Sequence, residues 1–106
     1  MDEETSATEG REGYEPPTVE DPRLQRVIHE LFRVHACIPG GTAGAVRHEV
    51  RTGERVGGKS HIRKAIERRR QLQHLLRRVD LSAQDRATAQ QLLGDLQDAL
   101  REAGFS

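Results

Sequence analysis

Residues 57–61 read Gly-Gly-Lys-Ser-His, an order that fits chemistry on an anion. Glycines just ahead of a helix start let backbone N–H groups approach a phosphate. The helix N-terminus adds partial positive charge, and Lys59 adds a full one. His61 follows in the first helical turn, and an imidazole is the usual side chain for moving a proton near neutral pH. Lys59, Ser60 and Lys64 stand beside it, and Arg47, His48 and Glu49 precede it. Together they offer a base, an acid and several oxyanion stabilisers, the groups that phosphodiester cleavage needs. Taken singly, a glycine-rich connector with a serine cap and a packing histidine is the commoner explanation.

The same stretch is strongly basic. Between Arg47 and Arg78 there are eleven Lys or Arg residues (Arg47, Arg51, Arg55, Lys59, Arg63, Lys64, Arg68, Arg69, Arg70, Arg77, Arg78) against three acids, Glu49, Glu54 and Glu67. Few of these acids interleave to make i,i+4 pairs, so the excess points to a polyanionic partner. Arg77 and Arg78 read more simply as a solvated helix face. Candidate substrate-binding residues are Thr42, Gly57, Gly58, Ser60, Arg51, Arg63, Arg68, Arg69 and Arg70. No aromatic residue lies in the basic region, so contact with phosphate should dominate over base stacking.

The elements that must position these residues are helical. Asp21 and Pro22 suit a helix start, and Leu24, Val27, Ile28, Leu31 and Phe32 form an apolar face running to about His35. Ile38-Pro39-Gly40-Gly41 breaks that pattern. In residues 43–56 the alternation of Val46, His48 and Val50, with Thr52-Gly53 as a turn, reads as a β-hairpin. Ser60 then caps a long helix with Ile62, Ala65, Ile66, Leu72, Leu75, Leu76 and Val79 on its apolar stripe. Ser82-Ala83-Gln84-Asp85 resembles a capping box and opens a last helix, which buries Ala89, Leu92, Leu93, Leu96, Ala99 and Leu100 and ends at Gly104. The expected fold is therefore mainly α: a small three-helix domain, residues 22–106, with a Gly-rich hairpin insert between the first and second helices.

Charge divides the chain. Seventeen bases balance seventeen acids overall, yet residues 1–22 hold eight acids and one base, Arg11. Residues 1–21 read as an acidic disordered leader, too poor in apolar groups to offset its ordering entropy. Its bland interpretation is a solubilising segment; the alternative is a phosphate mimic that folds back on the basic insert. With 34% hydrophobic and 3% aromatic residues the core must be thin and aliphatic. No apolar run suits a membrane span, and no n-region with an apolar h-region marks a secretory signal. The single cysteine, Cys37, forbids an intramolecular disulfide and reads as a small buried residue. His29, His35 and His74 read as polar-face or packing residues. His48 with His61 lacks a third ligand at a recognisable spacing, so no metal or other cofactor is expected.

The run IPGGTAGAVRHEVRTGERVGGKSHIRKA, residues 38–65, resembles the C-terminal toxin domain called polymorphic toxin type 28. SAQDRATAQQLLGDLQDAL, residues 82–100, extends the resemblance to about residues 38–103. It implies a mostly helical ribonuclease of the kind carried at the tips of contact-dependent inhibition and other polymorphic toxins. Some members cut transfer RNA, and cognate immunity proteins neutralise them. The family's catalytic histidine maps onto His61. Better-known members place an acid one turn after that histidine and an aromatic two residues before it; here those positions hold Lys64 and Lys59. The implied function is a metal-independent endoribonuclease acting in the cytoplasm, with Lys59, Lys64 and Arg47 stabilising phosphorus-bound charge and Glu49 or His48 as second proton-transfer group. Delivery would follow a signal-independent or fused secretion route. The alternative is a non-catalytic nucleic-acid- or protein-binding helical module of a toxin–immunity or secretion system.

Overall fold

A computed structural model describes residues 16–33, 38 and 40–105. Residues 1–15 of the expected leader, and His35, Cys37 and Pro39, lie outside the described residues. Among the described residues there are four α-helices: α1 (Pro22–Leu31), α2 (Gly41–Thr52), α3 (Ile62–Arg78) and α4 (Ala83–Glu102), with a 3-10 turn at Val56–Gly58 between α2 and α3.

The start of α1 is fixed as its sequence suggests. The Asp21 carboxylate accepts the N–H groups of Arg23 at 2.8 Å and Leu24 at 3.2 Å, with Pro22 at the first helical position. Two of the N–H groups that a helix start leaves without partners are thereby satisfied. Leu24, Val27, Ile28 and Leu31 are buried. The helix stops at Leu31, before His35, with Phe32 as its C-terminal cap.

Residues 41–52 overturn the hairpin expectation, and the described residues hold four helices where three were expected. Val46 and Val50 do alternate, but the buried residues Thr42, Ala43, Ala45 and Val46 follow helical spacing, while Val50 is 40% exposed. Thr52-Gly53 does not turn between strands. Gly53 instead closes α2 in a left-handed conformation, φ +80°, donating its N–H to Glu49 O at 2.8 Å. At the other end Gly41 also has positive φ, and the Thr42 hydroxyl donates to Leu31 O at 2.8 Å, stitching the start of α2 to the end of α1.

Helices α3 and α4 form the expected antiparallel hairpin, with α2 laid on α4 and α1 on α3. One continuous core joins all four through Leu24, Ile28, Val46, Leu72, Leu96 and Leu100. Cutting one such leucine to alanine costs about 2–5 kcal/mol, a large share of a small domain's stability. Ser82 caps α4 by accepting Asp85 N–H at 3.1 Å. The helix ends in a Schellman arrangement at Gly104, φ +91°, with Phe105 N–H donating to Leu100 O at 2.8 Å. Arg86 reaches back to Leu76 O at 3.1 Å and satisfies a carbonyl in the last turns of α3.

Residues 16–21, the end of the acidic leader, run without helix beside this core. Val19 packs against it and donates its N–H to Gln25 Oε1 at 3.0 Å. Ordered structure in the domain thus begins before Pro22.

Candidate functional site

The Gly-Gly-Lys-Ser-His segment links α2 to α3. Gly57 and Gly58 adopt φ +67° and +78°, as only glycine does without strain, and nothing lies within 4 Å of where a Cβ would stand. Their backbone is open. His61 closes the turn from below: its Nε2 lies 3.0 Å from Val56 O, and the residue is 8% exposed. A carbonyl can only accept, so Nε2 carries the proton and Nδ1 is left as the ring's acceptor. His61 also takes the N-cap position assigned to Ser60. Ser60 lies one residue earlier, exposed, and accepts Ile62 N–H at 3.4 Å.

Two further site candidates, His48 and Glu49, approach the residues just ahead of this turn. His48 on α2 lies 3.7 Å from Glu54, and Glu49 lies 3.9 Å from Arg55. The other carboxylate oxygen of Glu49, Oε1, is shielded from solvent and has no hydrogen-bond partner among the described residues. Lys59 is exposed on the turn.

Other candidates are held elsewhere. Arg47 forms a 2.8 Å ion pair with Asp95, donates to Asp95 O at 3.0 Å and approaches Glu102 at 3.6 Å. Arg51 pairs with Glu102 at 2.9 Å. Both arginines therefore join α2 to α4. Thr42 is fully buried, with its hydroxyl committed to Leu31 O. Arg68 donates to Gln71 at 2.8 Å and contacts Glu67 at 3.4 Å. Lys64 and Arg68 both act electrostatically on Glu30, whose carboxyl is held below its ordinary value first by its hydrogen bond with Arg33 and then by these charges.

Among the described residues, the bases with no ion pair are Arg26 on α1, Lys59 on the turn, Arg63, Lys64, Arg69, Arg70, Arg77 and Arg78 on α3, and Arg86 on α4, which instead donates to Leu76 O. Arg63, Arg70 and Arg77 are exposed and spaced by seven residues, so they form one ridge with about 10 Å between neighbours along the axis. The basic excess read across Arg47–Arg78 is thus divided. Its first third is neutralised by α4 and by Glu49, and the remainder, apart from Arg68 with Glu67, makes no ion pair among the described residues.

Residues overlooked in the sequence flank this ridge. Arg23 and Arg26 of α1 face Arg70, Gln71 and His74 of α3 across a groove floored by Val27 and Leu75. The signal was present as two pairs at helical spacing, Arg23 with Arg26 and Arg70 with His74. The two pairs lie far apart in sequence, and only the fold sets them on one groove.

Residues 53–60 also carry the glycine, four residues, glycine, lysine, serine spacing of a phosphate-binding P-loop. Their setting differs, since a P-loop follows a strand. Here Gly53 caps a helix, and no strand occurs among the described residues. Within the same set no group of three or more His, Cys, Asp or Glu is placed to hold a metal, and no helix is long and apolar enough to cross a membrane. No family model, curated protein or solved structure matches the chain.

Proposed function

We propose that this domain binds RNA through the free cations of α3. The ridge of Arg63, Arg70 and Arg77 carries the reading. Three guanidinium groups without acidic partners repel one another, and a repeating polyanion relieves that repulsion while releasing its own counterions. The test is affinity for a single-stranded RNA against salt concentration. Replacing the three arginines by glutamine removes about three phosphate contacts and should flatten the log–log salt slope by about two. An unchanged slope overturns the reading.

A second reading, RNA cleavage by a toxin-like endoribonuclease, is favoured by the convergence of His48, Glu49 and His61 on residues 54–56. The resemblance of residues 38–103 to polymorphic toxin type 28 points the same way, with transfer RNA as substrate and an immunity protein as partner. His61 Nδ1 and the Glu49 carboxylate are the proton-transfer groups in this scheme, and Lys59 is the exposed cation beside them. Incubation with a transfer RNA pool should yield fragments ending in 2′,3′-cyclic phosphate, lost on Glu49→Gln. Intact RNA after prolonged incubation sinks cleavage and leaves the binding reading standing.

A further inference from the structure

The groove between α1 and α3 differs from the rest of the basic surface. Its volume is about 450 Å³, within the range of small-molecule sites. Its floor is aliphatic, made of Val27 and Leu75, each nearly buried. Its walls carry donors: Arg23 and Arg26 on one side, Arg70, Gln71 and His74 on the other. Arg23 is drawn to Asp21 at 3.2 Å, whereas Arg26 and Arg70 have no acidic partner among the described residues. Gln71 Oε1 already accepts from Arg68 at 2.8 Å, so the amide of Gln71 is left with its NH₂ to donate.

An apolar floor, a planar cationic or imidazole wall and one amide donor match a nucleobase. The base's face lies on aliphatic carbon or stacks on His74 and guanidinium planes, and its ring nitrogens and keto oxygens accept. The adjoining phosphates meet Arg26 and Arg70. Beyond the groove the guanidinium ridge continues to Arg63 and Arg77, which suits a chain of regularly spaced phosphates better than an isolated carboxylate. A base paired inside a duplex cannot enter such a groove. We propose that the α1–α3 groove takes one unpaired base of a single-stranded RNA, so that single strands are this domain's preferred ligand. The proposal rests on the RNA-binding reading above and deepens it.

The experiment measures affinities of the full chain for a 5′-labelled single-stranded RNA of about twelve nucleotides, the same strand in a duplex, inorganic polyphosphate of matched charge, polyglutamate and adenosine monophosphate. The variant is Gln71→Ala with His74→Ala; both residues are exposed, every arginine is retained, and thermal unfolding checks the fold. Wild type should bind the single strand about tenfold more tightly than the duplex, the value of one stacked base. The variant should lose about that factor for the single strand and leave polyphosphate unchanged. Equal affinity for single strand and duplex, or an equal effect of the variant on polyphosphate, overturns the groove while RNA binding stands. Polyglutamate bound as tightly as RNA replaces the base with an acidic protein segment, and mononucleotide bound as tightly as the strand replaces it with a free nucleotide. No binding to any RNA overturns both proposals.

Discussion

The Asp85 carboxylate, buried at the first turn of α4, accepts the backbone N–H of Asp21 at 2.8 Å. The same carboxylate takes Glu20 N–H at 3.1 and 3.0 Å. In a capping box this position would reach back to its own helix cap; here it holds the entry to α1, some 64 residues away. One acid therefore clamps the backbone just before a second acid, Asp21, that caps α1. Asp85→Ala leaves these two N–H groups without their partner and should cost about 1–3 kcal/mol. Urea unfolding should show a lower midpoint with unchanged slope. A loss below about 0.5 kcal/mol would mean that water serves those groups equally well.

The glycines at the start of α2 and in the 57–61 turn are unequal. A Cβ on Gly41, φ +64°, would stand 2.6 Å from Leu31 O and 2.9 Å from Phe32 Cδ1. Backbone cannot yield to it. Gly41→Ala should cost more than about 3 kcal/mol, combining left-handed strain with the clash. Gly57→Ala meets nothing and should cost only about 1–2 kcal/mol of conformational strain. Unfolding of the two variants side by side checks the ranking, and near-equal losses would contradict the packing at Gly41.

That contrast bears on what the sequence could reveal. The caps at Asp21, Ser82 and Gly104 and the apolar faces of α1, α3 and α4 were legible because each depends on neighbours within a turn or two. Helix α2 was not, since Val46, His48 and Val50 fit a strand period, and its small residues carry little periodic signal. What decides it is tertiary: Thr42 and Gly41 fit only against the end of α1. The charged candidates could not be told apart for a related reason. Arg47 and Lys59 look alike in a basic run, and only the fold brings Asp95 and Glu102 to Arg47 while leaving Lys59 free.

Arg47 and the α3 ridge should accordingly separate in experiment. Arg47 is three-quarters buried as a side chain and ties α2 to α4 through two acids. Arg47→Met should cost about 1–2 kcal/mol, because Asp95 and Glu102 are partly exposed and rehydrate. Its RNA affinity should stay within about twofold of wild type, since that charge is already neutralised. Arg70→Gln should do the reverse, weakening RNA binding with little change in stability. A large affinity loss from Arg47→Met would return this residue to the binding surface.

Acid should weaken the domain through Asp21. Its carboxyl is held below the ordinary value first by the hydrogen bond from Arg23, and also by the N–H groups of Leu24 and Arg23, against a smaller opposing effect of desolvation. A lowered native value means that the unfolded chain binds the proton first as pH falls. The stabilisation is therefore complete above the ordinary carboxylate range and disappears as pH drops through it to the lowered value. Asp21→Asn should flatten this acid limb in stability measured against pH. An unchanged limb would leave it to other acids, Glu30 among them, whose value is lowered by Arg33.

His61 offers the last and sharpest division, because its structural and chemical duties use different ring nitrogens. Nε2 holds Val56 O at 3.0 Å and so fixes the turn that presents Gly57, Gly58 and Lys59. Nδ1 is the atom left for proton transfer. His61→Ala removes both and should cost about 1–3 kcal/mol, since the part-buried carbonyl loses its donor. His61→Gln retains an amide donor for Val56 O but has no ring nitrogen to exchange a proton, so it should recover part of that stability. RNA affinity should change little in either variant, because the α3 ridge lies outside the turn. Cleavage, measured on a transfer RNA pool, should fall by about 10²–10⁴-fold in both, the usual contribution of one acid–base group. Restoration of cleavage together with stability in His61→Gln would assign His61 to holding the turn and remove it from the chemistry.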